Sequence, residues 1–292
     1  MTAEANVISN WFRTKDGHEL YTKTWKSTNQ PPTAMLILVH GFGEHVGRYD
    51  RMFTYFAQQG IESTGFDQRG WGETAKKTSL FGNNGGYETA LKDIDETIKS
   101  IKREEIPLFL MGHSMGGGLI LNYLARGDTF EGVKLLRGAI ASAPLVTLSM
   151  PVPAIKYYPL QFLAKFLPSI TIKAGVDPAG ISHDEEEIQK YKDDPLVHDY
   201  ATLATLKGFL DAGTDLLKKS LPKSIKTPIL YSHGDADPIN SFNGCSDAFE
   251  MTSSEDKELK NWKGLYHELH NEKMPERQQV TDYYVEWMKK RC

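Results

Sequence analysis

Gly112-His-Ser114-Met-Gly116 sets a serine between two glycines at the spacing G-x-S-x-G. A nucleophilic serine on a tight strand-to-helix turn needs small neighbours, because its backbone is strained and flanking side chains would collide. The apolar run Leu108 to Met111 before it and the helix-like Gly117 to Leu124 after it supply that context. A helix beginning there turns its positive end and its free N–H groups toward the serine oxygen. The competing reading is a glycine-rich turn whose serine merely caps the helix.

A neutral hydroxyl is a poor nucleophile, so an imidazole must take its proton and a carboxylate must orient that imidazole. Both belong on loops after later strands. Pro228 to Asp237 reads as a strand followed by a turn with two acids. Asp237, kept extended by the following Pro238, is favoured on position over Asp235, which suits stabilising the turn through its own backbone. Trp262 to His270 carries two histidines after the last strand candidate. His267 lies nearer that strand and is favoured as base, although periodicity alone leaves the choice even; His270 remains for lining a pocket or capping the turn. The chain order serine, aspartate, histidine is the one expected of an α/β fold built this way.

Acyl transfer also needs two N–H donors aimed at the developing oxyanion. Val39-His-Gly-Phe-Gly-Glu-His45 follows an early strand candidate, so the donors expected are the backbones of Met115, after the nucleophile, and Phe42. A dinucleotide loop is the rival, but it requires a third glycine at position 46, which is Val46. A structural glycine turn is the other alternative. His183-Asp-Glu-Glu-Glu187 has no second ligand cluster to go with it and reads as a solvated acidic face, so no metal is expected.

Positioning these groups takes a sheet. Met35 to Val39, Ile61 to Phe66, Pro107 to Met111, Gly138 to Ala143, Pro228 to Tyr231 and Glu258 to Trp262 are short strand candidates. Helical spacing of Tyr49, Met52, Phe53 and Phe56, of Leu91, Ile94, Ile98 and Ile101, and of Val280, Tyr284, Trp287 and Met288 separates or follows them. Alternation of this kind predicts a mostly parallel sheet with helices on both faces. Trp11 to Trp25 predicts an antiparallel edge hairpin turning at Asp16-Gly17. The pattern breaks between Pro144 and Lys226, which predicts one domain over residues 1–292 with a helical cap inserted at about 145–226.

Length and composition agree with a single α/β domain: 292 residues, with 34 Lys plus Arg against 38 Asp plus Glu for a net charge of −4. That balance offers nothing to a nucleic acid. Two cysteines without a C-x-x-C fit a reducing compartment, and the acid-bearing amino end does not read as a secretory signal. Met150 to Pro168 is apolar but broken by Pro151, Pro153, Pro159, Lys156 and Lys165, so it falls short of the roughly 20 apolar residues of a membrane span.

The motifs at 40–45 with Gly47-Arg-Tyr49, Phe66-Asp-Gln-Arg-Gly70, Gly112 to Gly118, Gly234-Asp-Ala-Asp237 and Tyr266-His-Glu-Leu-His270 together resemble the monoacylglycerol lipases, nearest their fungal branch, almost end to end. The resemblance implies an α/β-hydrolase fold, a triad of Ser114, Asp237 and His267, oxyanion donors at Phe42 and Met115, and no cofactor. It places Glu44, Arg48 and His270 at the glycerol end of the substrate and Tyr191 as a cap tyrosine near them. Phe42 departs from the small residue common in mammalian members and narrows the loop. Monoacylglycerol and water are the implied reactants. A lysophospholipase or general carboxylesterase would use the same triad, and a silent lipid-binding hydrolase fold is the non-enzymatic alternative.

Leu160, Leu163, Phe166 and Leu167 share a helical face flanked by Lys156 and Lys165. That face is expected to dip into a lipid surface, and with the reducing compartment the expected localisation is cytoplasmic, peripherally associated with membranes or lipid droplets; packing on the core is the alternative.

Overall fold

The computed structural model describes residues 6–292, with the backbone alone described at Ala154 and Lys156. β1 (Val7–Arg13) and β2 (Glu19–Trp25) form the expected hairpin, with Gly17 at the turn taking a φ of +87° that its missing Cβ allows. β3 (Ala34–Val39), β4 (Ile61–Phe66), β5 (Leu108–His113) and β6 (Gly138–Ser142) then run parallel to one another. β7 (Thr171–Lys173) and β8 (Tyr200–Thr202) make a separate small ribbon. β9 (Ile229–Gly234) and β10 (Lys257–Trp262) complete an eight-stranded sheet of order β1-β2-β4-β3-β5-β6-β9-β10.

Successive residues of a strand point to opposite faces, and in a parallel sheet both faces are covered. β3 follows that rule. Met35, Ile37 and Val39 pack with α3 (Tyr87–Ile101) and α4 (Met115–Leu124), whereas Leu36 and Leu38 pack with α1 (Asp50–Gln58) and α9 (Glu276–Lys289). α1 starts later than the periodicity suggests, because Val46–Tyr49 forms a tighter 3-10 turn before it. α2 (Gly72–Thr78) follows β4 and α8 (Phe242–Met251) follows β9; α2 is short and polar, and α8 buries only the small residues Gly244, Cys245 and Ala248, so neither stood out.

Between β6 and β9 the chain leaves the sheet to form α5 (Ala154–Phe166), α6 (Glu185–Asp193), α7 (Leu203–Lys218) and the small ribbon. α7 buries Phe209 and Leu216 against the core, while α5 exposes Ile155, Tyr158, Phe162 and Phe166. Leu160, expected on the outward face, instead lines an internal cavity. Among the described residues no helix is long and apolar enough to cross a membrane.

Candidate active site

Ser114 follows the last residue of β5 and takes φ +55° and ψ −118°, a conformation that serine avoids elsewhere. The close packing of β3, β5 and α4 explains the flanking glycines. A Cβ on Gly112 would stand 2.3 Å from the Gly116 carbonyl oxygen, and one on Gly116 would stand 2.0 Å from that of Val39. Met115 opens α4, so its N–H has no partner within the helix.

The loops after β9 and β10 bring Asp237 and His267 to this serine. His267 Nδ1 donates to Asp237 Oδ2 at 2.7 Å, which leaves Nε2 as the acceptor for the Ser114 hydroxyl at 2.8 Å. Asp237 is secured on every side. Its Oδ1 accepts from the backbones of Ile239 at 2.8 Å and Asn240 at 3.0 Å, and its Oδ2 also accepts from His233 Nε2 at 2.9 Å. Burial pushes the Asp237 carboxyl up, yet the His267 charge and the imidazole hydrogen bonds hold it well below the usual range. Burial likewise disfavours protonated His267, but Asp237 outweighs it and raises the histidine above its ordinary 6.5.

Asp235 is exposed and accepts a hydrogen bond from Gly264 N at 2.6 Å. It therefore ties the β9 turn to the loop carrying His267, rather than folding back on its own turn.

Phe42 sits in the loop after β3, which Glu44 holds in shape: Oε1 accepts from Gly41 N at 2.6 Å and from the Tyr49 hydroxyl at 2.7 Å. The Phe42 ring packs on Trp71 and Phe209, so it narrows the site by standing in its wall. Ser114, Met115, Phe42 and His267 face one cavity of about 560 Å³, whose apolar wall includes Leu145, Leu148, Val152, Leu160, Leu206 and Leu210.

Its other end is polar. Arg48 donates to Glu44 Oε2 at 2.9 Å and to both oxygens of Glu268 at 2.6 and 2.7 Å, and its guanidinium lies 4.7 Å from the centre of the Tyr191 ring. Burial raises Glu268, but the Arg48 charge and hydrogen bonds take its carboxyl well below the normal value. Behind Arg48, a more open surface hollow of about 640 Å³ is lined mainly by charged residues of α1 and α6.

Glu44, Arg48 and Tyr191 border the cavity; His270 does not. It is stacked on Tyr49 at 4.7 Å and set edge-on to His113 at 5.4 Å, and neither ring nitrogen has a protein partner. Burial first, and then the closeness of the His113 imidazole, pushes its pKa down to about 3, so it is neutral. Glu268, one residue after His267, borders the cavity in its place. His183, which carries no partner pattern in the sequence, pairs with Glu272 at 3.0 Å. Sequence reasoning also passed over His233 and Asn240. Their only linear signal is proximity to Asp237, four residues before it and three after. Among the described residues no group of three or more His, Cys, Asp or Glu could hold a metal ion.

An acceptor imidazole, an orienting carboxylate and free backbone donors beside a serine can carry out acyl transfer. Comparisons with known proteins point the same way. A family model described as serine aminopeptidase, S33 (Hydrolase_4) matches residues 30–274. An uncharacterized abhydrolase domain-containing protein of Dictyostelium discoideum is 35% identical over 280 residues, which cover 95% of this chain; the chain spans only 28% of that protein's length. The monoglyceride lipase of Saccharomyces cerevisiae is 32% identical over 247 residues, 80% of this chain and 77% of the relative. The crystal structure of a soluble variant of that yeast enzyme in complex with a substrate analog superposes with a TM-score of 0.87 at 28% identity, covering 100% of this chain and 97% of the other. Matched over most of its length by the family model and by such relatives, the chain belongs to the Hydrolase_4 family of α/β-hydrolases and stands among its monoglyceride lipases.

Proposed function

We propose that this protein hydrolyses monoacylglycerols to glycerol and free fatty acid through an acyl-enzyme. Ser114 Oγ attacks the ester carbonyl carbon while its proton passes to His267 Nε2. The carbonyl oxygen takes the negative charge and is met by the N–H groups of Phe42 and Met115. The tetrahedral species collapses, the C–O bond to glycerol breaks, and His267 returns the proton to the departing oxygen. Water repeats the sequence on the acyl-enzyme and frees the acid. Loss of one oxyanion donor costs about 3 kcal/mol of barrier.

The observation that carries this reading is the relay of 2.7 and 2.8 Å from Asp237 through His267 to Ser114, opening on a cavity apolar along one wall and polar at one end. The apolar wall suits an acyl chain. Glu44, Arg48, Tyr191 and Glu268 suit the hydroxyls of glycerol, which both donate and accept. His270 belongs to this end only at one remove, by packing behind it. A lysophospholipase needs unopposed positive charge for its phosphate, whereas Arg48 is already paired with two carboxylates. The segment at about 145–226 acts as the cap that roofs the cavity. Through α5 it meets a membrane or lipid-droplet surface: Phe162 and Phe166 are 61% and 67% exposed, with Lys165 beside them, while the Lys156 side chain lies outside the described residues.

A hydrolysis panel of monoacyl-, diacyl- and triacylglycerols, with lysophosphatidylcholine and p-nitrophenyl esters as controls, tests the reading. Monoacylglycerol is expected to be turned over fastest, and fluorophosphonate labelling is expected to vanish in Ser114→Ala. Preference for the phosphocholine lipid would replace the glycerolipid reading, and absence of any labelling in the unaltered protein would leave a silent lipid-binding fold.

A further inference from the structure

We propose that Asn240 is a further catalytic residue, whose side-chain N–H bonds Ser114 Oγ when that oxygen is the leaving group of the acyl-enzyme. The proposal rests on the serine-hydrolase reading above.

Asn240 Nδ2 lies 2.8 Å from the Ala143 carbonyl oxygen and 3.5 Å from Ser114 Oγ. A carbonyl oxygen can only accept, so the amide nitrogen, not the amide oxygen, must face Ala143. The amide carries two hydrogens. With one on Ala143, the other remains for Oγ.

The backbone that carries this side chain is fixed, and the bond to Ala143 holds the amide itself. Asn240 N donates to Asp237 Oδ1 at 3.0 Å, Asn240 O accepts from His233 Nε2 at 3.1 Å, and an antiparallel bridge joins the residue to Leu148. It is 1% exposed and borders the cavity. A donor held this firmly responds to charge without the cost of reorienting. The 3.5 Å contact is long for the resting serine, as catalytic hydrogen bonds in unliganded sites often are, and it shortens when Oγ gains charge.

Phe42 and Met115 serve the carbonyl oxygen; among the described residues, the side chains bonded to Oγ are His267 and Asn240. In deacylation, water adds to the acyl carbon and gives a proton to His267 Nε2. The C–Oγ bond then breaks, its electron pair moves onto Oγ, and Oγ takes the proton from His267. An N–H on Oγ draws electrons from the ester beforehand and stabilises the departing oxygen, so it favours this half of the cycle. During acylation the same N–H engages the lone pairs of the attacking oxygen, and its gain and loss nearly offset. The residue therefore acts mainly on deacylation.

Burst kinetics with a p-nitrophenyl ester, scaled to sites titrated by a fluorophosphonate, separate the halves. Asn240→Ala is expected to leave the burst rate within about threefold of the unaltered protein while steady-state turnover falls tenfold or more, with the acyl-enzyme accumulating by intact mass. Asn240→Ser, whose hydroxyl is too short to span to Oγ, is expected to behave alike and serves if the alanine protein folds poorly. Equal loss in both phases, no loss in either, or failure of both variants to form titratable sites would assign Asn240 to loop structure and overturn the proposal. Loss of the underlying reading looks different: Ser114→Ala would keep its activity, or the unaltered protein would form no acyl-enzyme.

Discussion

Arg48 grips Glu268 through two parallel hydrogen bonds of 2.6 and 2.7 Å, and Glu268 is the residue next to His267 in the chain. The ion pair therefore anchors the loop that carries the base. Both side chains are buried, so deleting the cation leaves Glu44 and Glu268 facing each other without a counter-charge. Arg48→Met is expected to destabilise the fold by about 3–5 kcal/mol in urea titration at pH 7. The depressed carboxyl of Glu268 fixes the pH sense: its contribution is present above the ordinary glutamate value of 4.5 and is lost as pH falls below it. The gap between Arg48→Met and the unaltered protein should narrow in acid.

The base must be neutral to accept the serine proton. Because Asp237 raises His267 above 6.5, the acid limb of kcat/KM is expected to lie above pH 6.5, with activity falling as pH drops through it. His233→Leu removes one donor from Asp237 and makes the carboxylate a stronger partner for protonated His267. The acid limb should then move to higher pH, by up to about one unit; a shift to lower pH would contradict that coupling.

Ser114 holds its backbone at a positive φ that costs glycine less than any residue with a Cβ, alanine included. Of two inactive variants, Ser114→Gly is expected to be more stable than Ser114→Ala by about 1 kcal/mol in chemical denaturation.

Exposed aromatics on α5 are expected to carry lipid binding. Phe162→Asp with Phe166→Asp should abolish flotation with phosphatidylcholine vesicles while leaving hydrolysis of a water-soluble p-nitrophenyl ester within about twofold. Unchanged flotation would remove the lipid-surface role of this helix.

Much of the framework was legible because it depends on local pattern. The apolar runs at Met35 to Val39 and Leu108 to Met111 leave no solvent face, and the glycines around Ser114 answer to close backbone contacts. Order along the sheet then brought the ends of β5, β9 and β10 together. What stayed hidden depends on partners distant in sequence. Nothing near Glu268 announces a bond to Arg48, 220 residues earlier, and nothing near Asp235 announces Gly264. His270 and His267 look alike along the chain; the bonds of His267 to Asp237 and Ser114, against the stacking of His270 on Tyr49, distinguish them. On α5, Pro159 and mixed apolar spacing blurred which side turns inward, so Leu160 could be placed only by the fold.

Two carboxylates against one guanidinium leave the polar end of the cavity with a surplus negative charge. Before cleavage this matters little, since an uncharged ester feels no push from it. Once the acyl-enzyme is hydrolysed, the fatty acid can bear a charge, and its carboxylate would be repelled by that surplus across a low-dielectric chamber. A carboxylate is thereby held less tightly at that end than the uncharged ester it came from, which favours departure of the acid over its retention.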